Sequence, residues 1–179
     1  MECIQRNILI TGAPGIGKTT LFKRLMHGCA AWSPMGFYSG EIREKGIRTG
    51  FSLVGFDGRK GILAGMNIHS EYRVGRYRVN VKGFEKFLEG FDFFHHDCRL
   101  VMIDEIGRME CYSAMFRRII TELLDSDTRV VSTIALKGGG LIASIKERPD
   151  VEVIEVTLRT RDSVIPDIVN RIGRCMEKT

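Results

Sequence analysis

Short apolar runs alternate with amphipathic stretches along most of the 179-residue chain, a pattern typical of α/β proteins. The first run, Ile4 to Thr11, predicts a buried strand that leads into a glycine-rich loop. From Lys18 onward, Leu21, Leu25 and Met26 recur at helical spacing and predict a helix with one apolar face. The N-terminal part of the sequence therefore predicts a strand, a loop and a helix in that order.

The alternation resumes in the second half of the chain. Repeated strand–helix alternation favours a mostly parallel sheet that is covered by helices on both faces. Pro166 falls in the first turn or so of the last predicted helix, where proline is tolerated. The predicted elements are a helix over Phe84–Phe91, a strand over Leu100–Ile103, a helix over Cys111–Leu124, a strand over Arg129–Leu136, a helix over Gly140–Glu147, a strand over Val151–Thr157 and a helix over Asp162–Cys175.

The stretch 36–79 differs from both flanks because it has many glycines and few helix formers in series. Lys45-Gly46 and Asp57-Gly58 are turn signals between β-type runs. This segment is predicted to be a small antiparallel β insertion between the first helix and the rest of the α/β core. Its predicted strands are Gly36–Glu44, Arg48–Gly55, Gly61–Ala64 and Arg76–Val79.

Composition and charge narrow the class of protein. Apolar residues make up 44% and charged residues 27%, which is ordinary for a globular chain, and the length suits a single domain over residues 1–179. No apolar run approaches the ~18 residues of a membrane span, and the N-terminus lacks a signal peptide's basic region. Five cysteines without paired spacing are typical of buried thiols. We therefore expect a cytoplasmic protein with no membrane partner.

The net charge of +5 is spread over small basic groups that acidic residues interrupt. Such a distribution is typical of a solvated surface with a site for an anionic ligand, and it does not favour nucleic acid as the main partner. We expect a monomer.

The strongest motif is a phosphate-binding loop, or P-loop, with an apolar strand before it and a helix after it. Glycines allow successive backbone N–H groups to point at phosphate oxygens, and the helix N-terminus favours negative charge. Lys18 is expected to reach the β- and γ-phosphates, and the Thr19 hydroxyl to bind Mg²⁺. The loop residues are Gly12, Ala13, Pro14, Gly15, Ile16, Gly17, Lys18 and Thr19.

A second motif is the apolar run Leu100–Ile103 followed by two adjacent carboxylates. Residues at the carboxyl end of a strand in an open α/β sheet face the crevice where ligands bind. Asp104 is expected to hold Mg²⁺, and Glu105, on the other side of the pleat, to orient or deprotonate a water near the γ-phosphate. Thr133, late in another strand, is either a third polar group at this site or a β-branched packing residue.

Several segments together carry a family resemblance across nearly the whole chain. They are Gly12-Ala-Pro-Gly-Ile-Gly-Lys-Thr-Thr, Gly36-Phe-Tyr-Ser, Gly50-Phe51, Val74-Gly-Arg-Tyr77 and Ile103-Asp-Glu-Ile-Gly-Arg-Met-Glu110. In this order they resemble the nucleoside-triphosphatase family known from thermophiles, which has a human member called cancer-related nucleoside triphosphatase. The P-loop alone is unspecific, whereas the last segment is distinctive.

The resemblance implies a RecA-like P-loop NTPase fold and slow hydrolysis of ATP, GTP, CTP and UTP to diphosphate and phosphate with little base preference. It also implies a second nucleotide-binding segment, whose side-chain chemistry would rest on Asp104 and Glu105. One departure is Thr160-Arg161-Asp162, where the family tends to have Asn-Arg-Asp. The segment consists of Leu100, Val101, Met102, Ile103, Asp104, Glu105, Ile106 and Gly107.

Other residue types of possible chemical use are less specific. Arg43, Arg108 and Arg161 are candidates for neutralising charge on the transferring phosphoryl group, and the sequence does not choose among them. The run from His95 to Cys98 has metal-ligand residue types, but consecutive residues cannot all converge on one ion. Trp32, near the end of the first predicted helix, is interpreted as a packing residue rather than a platform for a base.

Two rival functions stay open at this point. A small-molecule or nucleotide kinase uses a similar P-loop, although the best lid candidate, Lys137 to Gly140, is short and has no arginine. A nucleotide-gated nucleic-acid-binding module would need a contiguous basic stripe, and the candidates are Arg73, Arg76 and Arg78 together with Arg43 and Arg48. The partners expected from the stronger motifs are nucleoside triphosphates, with Mg²⁺ as the cofactor.

Overall fold

A computed structural model describes residues 6–177 of the chain, and its elements follow the predicted alternation. The strands in this range are β1 (Asn7–Thr11), β2 (Met35–Glu44), β3 (Ile47–Gly55), β4 (Lys60–Gly65), β5 (Arg73–Val74), β6 (Tyr77–Val79), β7 (Leu100–Ile106), β8 (Arg129–Ile134) and β9 (Val151–Glu155). The helices are α1 (Lys18–Gly28), α2 (Val81–Leu88), α3 (Ala114–Asp125), α4 (Leu141–Lys146) and α5 (Val164–Met176), with short 3₁₀ helices over Ala30–Trp32 and Glu110–Tyr112.

All of these strands form one sheet in the order β5-β6-β4-β3-β2-β7-β8-β1-β9. Strands β2, β7, β8, β1 and β9 pair in parallel, and we call them the parallel half. Strands β3, β4, β6 and β5 are joined by antiparallel pairings, and we call them the antiparallel half. The α/β prediction is confirmed, and the parallel half contains both predicted phosphate-site strands.

The first strand of the predicted insertion, β2, is also part of the parallel half of the sheet. Strand β2 pairs in parallel with β7, with Gly36 opposite Met102 and Phe37 opposite Ile103. The same strand pairs antiparallel with β3. The glycine at 36 is required by this contact, because its φ is 149° and an added Cβ would lie 1.8 Å from the Met102 carbonyl oxygen. Strand β2 therefore joins the two halves into one continuous sheet.

Helices cover the two faces of the sheet because the central strands are apolar on both sides. On one face, α1 and α5 bury side chains such as Phe22 and Ile168 against Ile10 and Met102. On the other face, α2 packs against β4, α3 against β8 and α4 against β9, with Phe37 of β2 in the same apolar cluster. Among the described residues no helix is long and apolar enough to cross a membrane.

Side-chain caps explain the shifted starts of two predicted helices. Helix α2 begins at Val81, three residues before the prediction, because the Asn80 side chain accepts a hydrogen bond from the Gly83 N–H at 3.1 Å. The predicted helix from Cys111 is interrupted at Ser113, whose hydroxyl accepts from the Phe116 N–H at 3.0 Å and starts α3. Trp32 lies in the 3₁₀ helix beyond α1 rather than in the first helix.

The remaining differences are at element ends. Strands β8 and β9 stop two residues before their predicted ends, and α5 starts two residues later than predicted. Strand β7 continues three residues past its predicted end at Ile103, and α2 ends at Leu88, three residues before its predicted end. Arg73–Val74 adds a strand that the sequence pattern did not indicate. Differences of one or two residues at an end are common between assignments. The predicted start of the first strand at Ile4 lies outside the described residues.

Candidate active site

The P-loop connects the carboxyl end of β1 to the N-terminus of α1. Gly15 and Gly17 have φ values of 80° and 94°, a left-handed conformation that side-chain-bearing residues rarely adopt. At Gly12 the requirement is space, since an added Cβ would lie 2.8 Å from the Val156 carbonyl oxygen. The glycines of the motif are therefore explained by backbone geometry, and the loop curls over the first turn of α1.

Lys18 is the first residue of α1, and its side chain is folded back over the loop. Its Nζ donates a hydrogen bond to the Gly12 carbonyl at 3.3 Å, and the half-buried side chain lines a cleft above the loop. Thr19 follows on the same turn and lines the same cleft. The two residues expected to bind phosphate and metal are thus side by side at the helix N-terminus.

Asp104 lies near the carboxyl end of β7 and is almost completely buried, with 1% of its surface exposed. Oδ1 accepts a hydrogen bond from the Thr133 hydroxyl at 2.6 Å, and Oδ2 accepts a longer one from the Ser39 hydroxyl at 3.5 Å. Burial raises the pKa of this carboxyl, whereas the Thr133 and Thr19 hydroxyls and the positive charge of Lys18 lower it. Of the two readings of Thr133, the structure favours the polar one.

Glu105 follows Asp104 through a cis peptide bond, and its side chain lines the cleft opposite the P-loop. Burial raises the pKa of this carboxyl, the Lys18 ammonium lowers it, and the neighbouring Asp104 raises it. A raised pKa favours a role in proton transfer near neutral pH. The two carboxylates therefore have different surroundings: Asp104 is held by hydroxyl groups, and Glu105 faces open space.

The other residues of the second predicted nucleotide-binding segment lie in the sheet. Leu100 and Met102 pack on the face covered by α1 and α5, and Val101, Ile103 and Ile106 pack on the opposite face. Gly107 is buried in the turn that follows. Within this segment only Glu105 is among the residues that line the cleft.

The cleft has a volume of about 940 Å³ and lies between the P-loop and strands β2 and β3. Ala13 and Ile16 of the P-loop are not among its lining residues. Those residues are Gly12, Pro14, Gly15, Gly17, Lys18, Thr19, Thr20, Lys23, Ser39, Gly40, Glu41, Arg48, Phe51, Glu105, Ala135, Leu136 and Lys137.

None of the three arginines singled out in the sequence lines the cleft. Arg161 donates to the Ile16 carbonyl at 2.8 Å and lies against Gly17, so it braces the P-loop from outside. Arg43 is exposed and pairs with Glu41 at 2.7 Å, and Arg108 is exposed. The arginine in the cleft is Arg48 on β3, which sequence reasoning grouped with the basic surface.

Glu110 is a functional-site neighbour that sequence reasoning left without a role. It is 5% exposed, and burial, together with the negative charge of Glu105, raises its pKa to about 8. An added Cβ at Gly107 would lie 2.7 Å from its Oε2, so the glycine leaves room for this carboxyl. Its position at the end of the distinctive Asp-Glu-Ile-Gly-Arg-Met-Glu segment was the available signal.

Two weaker predictions have their own outcomes. His95, His96 and Asp97 bring ligand atoms within 4.8 Å of one another, but all three are exposed in the loop before β7 and none of them lines the cleft. Trp32 packs against the cluster under α1 and α5, and its ring lies 3.1 Å from the Cβ position of Gly173. It is therefore a packing residue, as interpreted from the sequence.

Comparisons with known proteins identify the family of this chain. A family model described as NTPase matches residues 7–169. Nucleoside-triphosphatase THEP1 of Thermotoga petrophila is 41% identical over 163 residues, which cover 90% of each chain. The human cancer-related nucleoside-triphosphatase is 34% identical, with 92% of this chain and 95% of that protein covered.

Two solved structures extend the similarity to the fold. The crystal structure of THEP1 from Aquifex aeolicus has a TM-score of 0.82 and 34% identity, and covers 93% of this chain and 98% of its own. The solution structure of the human protein has a TM-score of 0.77 and 32% identity, and covers 93% and 97%. The P-loop NTPase fold is therefore confirmed, and the chain belongs to the NTPase family.

Proposed function

We propose that this protein hydrolyses nucleoside triphosphates to diphosphate and phosphate in the cleft, with Mg²⁺ and with little selectivity for the base. The observation that carries the proposal is the arrangement of Asp104 and Glu105 opposite the P-loop. One carboxylate is buried among hydroxyl groups, and the other faces the cleft. Membership of a family whose relatives are named nucleoside-triphosphatases supports the same reaction.

The triphosphate would be held by the P-loop. The N–H groups of the loop and the N-terminus of α1 provide a site for phosphate oxygens, and Lys18 adds a positive charge at the β- and γ-phosphates. Within the described part of the chain, the Lys18 ammonium donates a hydrogen bond only to the Gly12 carbonyl, so it retains donors for a phosphate. Arg161 supports the loop through the Ile16 carbonyl and would keep this cradle in place.

The residues present fit a magnesium ion. Mg²⁺ prefers oxygen ligands and is usually held by one or two carboxylates together with substrate phosphates. Thr19 and Asp104 supply a hydroxyl and a carboxylate close together, since the Thr19 hydroxyl lowers the pKa of Asp104 against the effect of burial. When bound, the ion would neutralise charge on the phosphates. Thr133 and Ser39 would fix the orientation of the Asp104 carboxylate.

Glu105 would act on the attacking water. Its carboxylate would accept a proton from the water as the oxygen approaches the γ-phosphorus, and the bond to the β-phosphate oxygen would break. The positive charge of Lys18 lowers the pKa of Glu105 against the effect of burial, which favours the ionised form that a base needs. Lys137, at the carboxyl end of β8, adds another cation to the cleft.

Low base selectivity follows from where the specific groups lie. The residues assigned above address phosphate, metal or water, and none is assigned to the edge of a base. Discrimination by several orders of magnitude requires buried hydrogen-bonding groups matched to one substrate. The four common nucleoside triphosphates are therefore expected to be similar substrates.

Phosphate release from ATP, GTP, CTP and UTP, with and without Mg²⁺, tests this function. We expect release with all four in Mg²⁺ and its loss when a chelator is added, with kcat/KM values within about 10³-fold of one another. Identifying the product that carries the γ-phosphate separates hydrolysis from transfer. Release that continues at the full rate in chelator would contradict the metal role, and a larger preference for one base would reveal a missed readout.

A further inference from the structure

The cleft continues past the predicted phosphate site along a wall built from β2, β3 and α1. Strand β2 extends beyond its last pairing with β7, which joins Tyr38 and Asp104. The part of β2 beyond that point pairs with β3, with Glu41 opposite Phe51. Glu41, Arg48 and Phe51 line the cleft on this side. We call the set of Lys23, Glu41, Arg48 and Phe51 the outer wall.

Arg48 is held in one orientation at the centre of the outer wall. Its Nε donates to the Tyr77 hydroxyl at 3.0 Å, and its Nη1 donates to Glu41 at 2.7 Å. Its guanidinium lies 5.2 Å from the centroid of the Phe51 ring. The side chain nevertheless keeps 41% of its surface exposed, so it is ordered without being covered. An ordered, accessible arginine beside an aromatic ring is a preorganised anion site.

Lys23 adds a second cation from a different element. It lies one and a half turns along α1 from Lys18, its Nζ is 4.2 Å from the centroid of the Tyr38 ring, and it lines the cleft. Within residues 6–177 it has no carboxylate partner at ion-pair distance. The outer wall therefore carries two positive groups and only one carboxylate, which is already paired with arginine.

The position of the outer wall places it beside the γ-phosphate end of a bound triphosphate. Lys18 and Glu105 would mark that end, and in the sheet order β8 and β7 lie between β1, which leads into the P-loop, and the strands β2 and β3 of the outer wall. The whole cleft, at about 940 Å³, is near the upper end of the range for small-molecule sites, whereas a water occupies about 30 Å³. The proposed hydrolysis reaction does not require the residues of the outer wall.

We infer that the outer wall is a second binding site, for a phosphate monoester that carries a planar ring, such as a nucleoside monophosphate. Arg48 and Lys23 would bind the phosphate dianion, the Phe51 ring would stack on the base, and Glu41 would hold Arg48 in place. The inference rests on the proposed function only in requiring the P-loop to hold the triphosphate. A bound monophosphate would occupy the side of the γ-phosphate that water approaches, and would slow phosphate release.

The test is a calorimetric titration of AMP, and separately of ribose 5-phosphate, into protein saturated with Mg²⁺ and a non-hydrolysable ATP analogue. The analogue fills the P-loop, so any further binding reports the outer wall. We expect one AMP per chain. Arg48→Ala should weaken both ligands about 10-fold or more, whereas Phe51→Leu should weaken AMP about fivefold or more and leave ribose 5-phosphate unchanged.

Arg43→Ala is the matched control, because Arg43 pairs with the same Glu41 but does not line the cleft. It should retain AMP binding. Lys23→Met tests the wall from α1, in case Arg48→Ala disturbs the contacts around Tyr77, and should also weaken both ligands. Thermal unfolding of each variant establishes that it is folded.

Three results would overturn the inference. AMP that binds only when the analogue is absent would be occupying the P-loop, and equal losses in Arg43→Ala and Arg48→Ala would indicate a general charge effect. Variants that weaken the analogue rather than AMP would show that the outer wall contacts the nucleotide's own base. If the analogue does not bind at all, the proposed function fails instead, and AMP titrated alone into the Arg48→Ala protein decides on the outer wall.

Discussion

The parallel and antiparallel halves of the sheet present chemical groups in different ways. In the parallel half, β1 and β7 end at the same edge, so the P-loop and the pair Asp104–Glu105 meet although about 90 residues separate them in sequence. In the antiparallel half, Arg48 and Phe51 both lie on β3 rather than beyond its carboxyl end, and the cross-strand register determines what they face. The parallel half places its functional side chains at the ends of strands, and the antiparallel half places them on the face of a strand.

This difference determines how well the functional residues of each half can be predicted from the sequence. A group at a strand end is part of a local sequence motif, because the strand, the turn and the side chain are contiguous. A group on a strand face depends on its partner strand, and β2 changes register near Ile42 and Arg43, where the pairing is irregular. The functional residues of the parallel half can therefore be predicted from the sequence, whereas those of the antiparallel half cannot.

The largest expected effect is at the P-loop. Lys18→Ala should weaken triphosphate binding and reduce hydrolysis by at least about 10³-fold, because the variant loses its positive side chain at the β- and γ-phosphates. Lys60→Ala, an exposed lysine on β4 in the antiparallel half, is the control and should behave as the parent protein. Turnover in the Lys18 variant close to that of the control would contradict the P-loop assignment.

The second prediction separates the two carboxylates. Glu105→Gln keeps the shape of the side chain but cannot accept a proton, so turnover should fall by about 10²–10⁴-fold while Mg²⁺-ATP binding is retained. Asp104→Asn should weaken Mg²⁺ binding as well as turnover, because it removes the charge held by Thr133 and Ser39. Equilibrium binding beside single-turnover assays distinguishes the two. Normal hydrolysis by Glu105→Gln would mean that the base lies elsewhere.

How far the sequence predicts the fold depends on the range of the contacts involved. The strand–loop–helix unit at residues 7–28 and the alternation after Leu100 were predicted because hydrophobic periodicity is local. The start of α2 was missed because it depends on the Asn80 side chain rather than on the apolar pattern. The pairing of β2 with β7 was missed because a parallel pairing leaves no turn signal between its strands.

The same limit applies to the site. Ser39 reaches Asp104, and Arg48 reaches the cleft, only through the pairing of β2 with β7 and β3. Glu110 is buried because its side chain packs close to Gly107, and the spacing of residues in the sequence does not predict this contact. Arg43, Arg108 and Arg161 were chosen by residue type alone, and their side chains lie outside the cleft.

The third prediction tests whether the two halves unfold together. Phe37 on β2 is fully buried, and its ring centroid lies 5.4 Å from Phe87 and 5.9 Å from Phe84. Phe37→Ala should reduce the free energy of unfolding by about 3–5 kcal/mol in urea titrations. Phe94→Ala, with half of its side chain exposed, should change it by less than about 0.5 kcal/mol.

Because β2 belongs to both halves, Phe37→Ala should leave a single cooperative transition when circular dichroism and tryptophan fluorescence are compared. Trp32 reports the parallel half, since it packs under α1 and α5. If the fluorescence midpoint stays unchanged while the circular dichroism midpoint falls, the antiparallel half unfolds separately. The continuous sheet would then not couple the unfolding of the two halves.

The last prediction concerns a pH-dependent contribution of Glu110 to stability. Its pKa is raised from 4.5 to about 8 in the folded protein, so the fold favours the protonated carboxyl. Its contribution to stability is therefore fully present below the unfolded pKa and is lost as pH rises towards 8. In this window the free energy of unfolding should fall by about 1.4 kcal/mol per pH unit from this group, and the loss should stop above the folded pKa.

Glu110→Gln isolates this contribution, because glutamine stays neutral and has nearly the same shape. Carboxyls with lowered pKa values, such as Asp57 and Asp150, act in the opposite direction but are common to both proteins. The stability of the variant relative to the parent should therefore increase from pH 5 to pH 8 and then level off, measured in urea without nucleotide or metal. Glu89→Gln, at an exposed position, should track the parent throughout. Parallel profiles for Glu110→Gln and the parent would show that the buried carboxyl is already ionised at pH 5, and that the parallel half tolerates three adjacent negative charges.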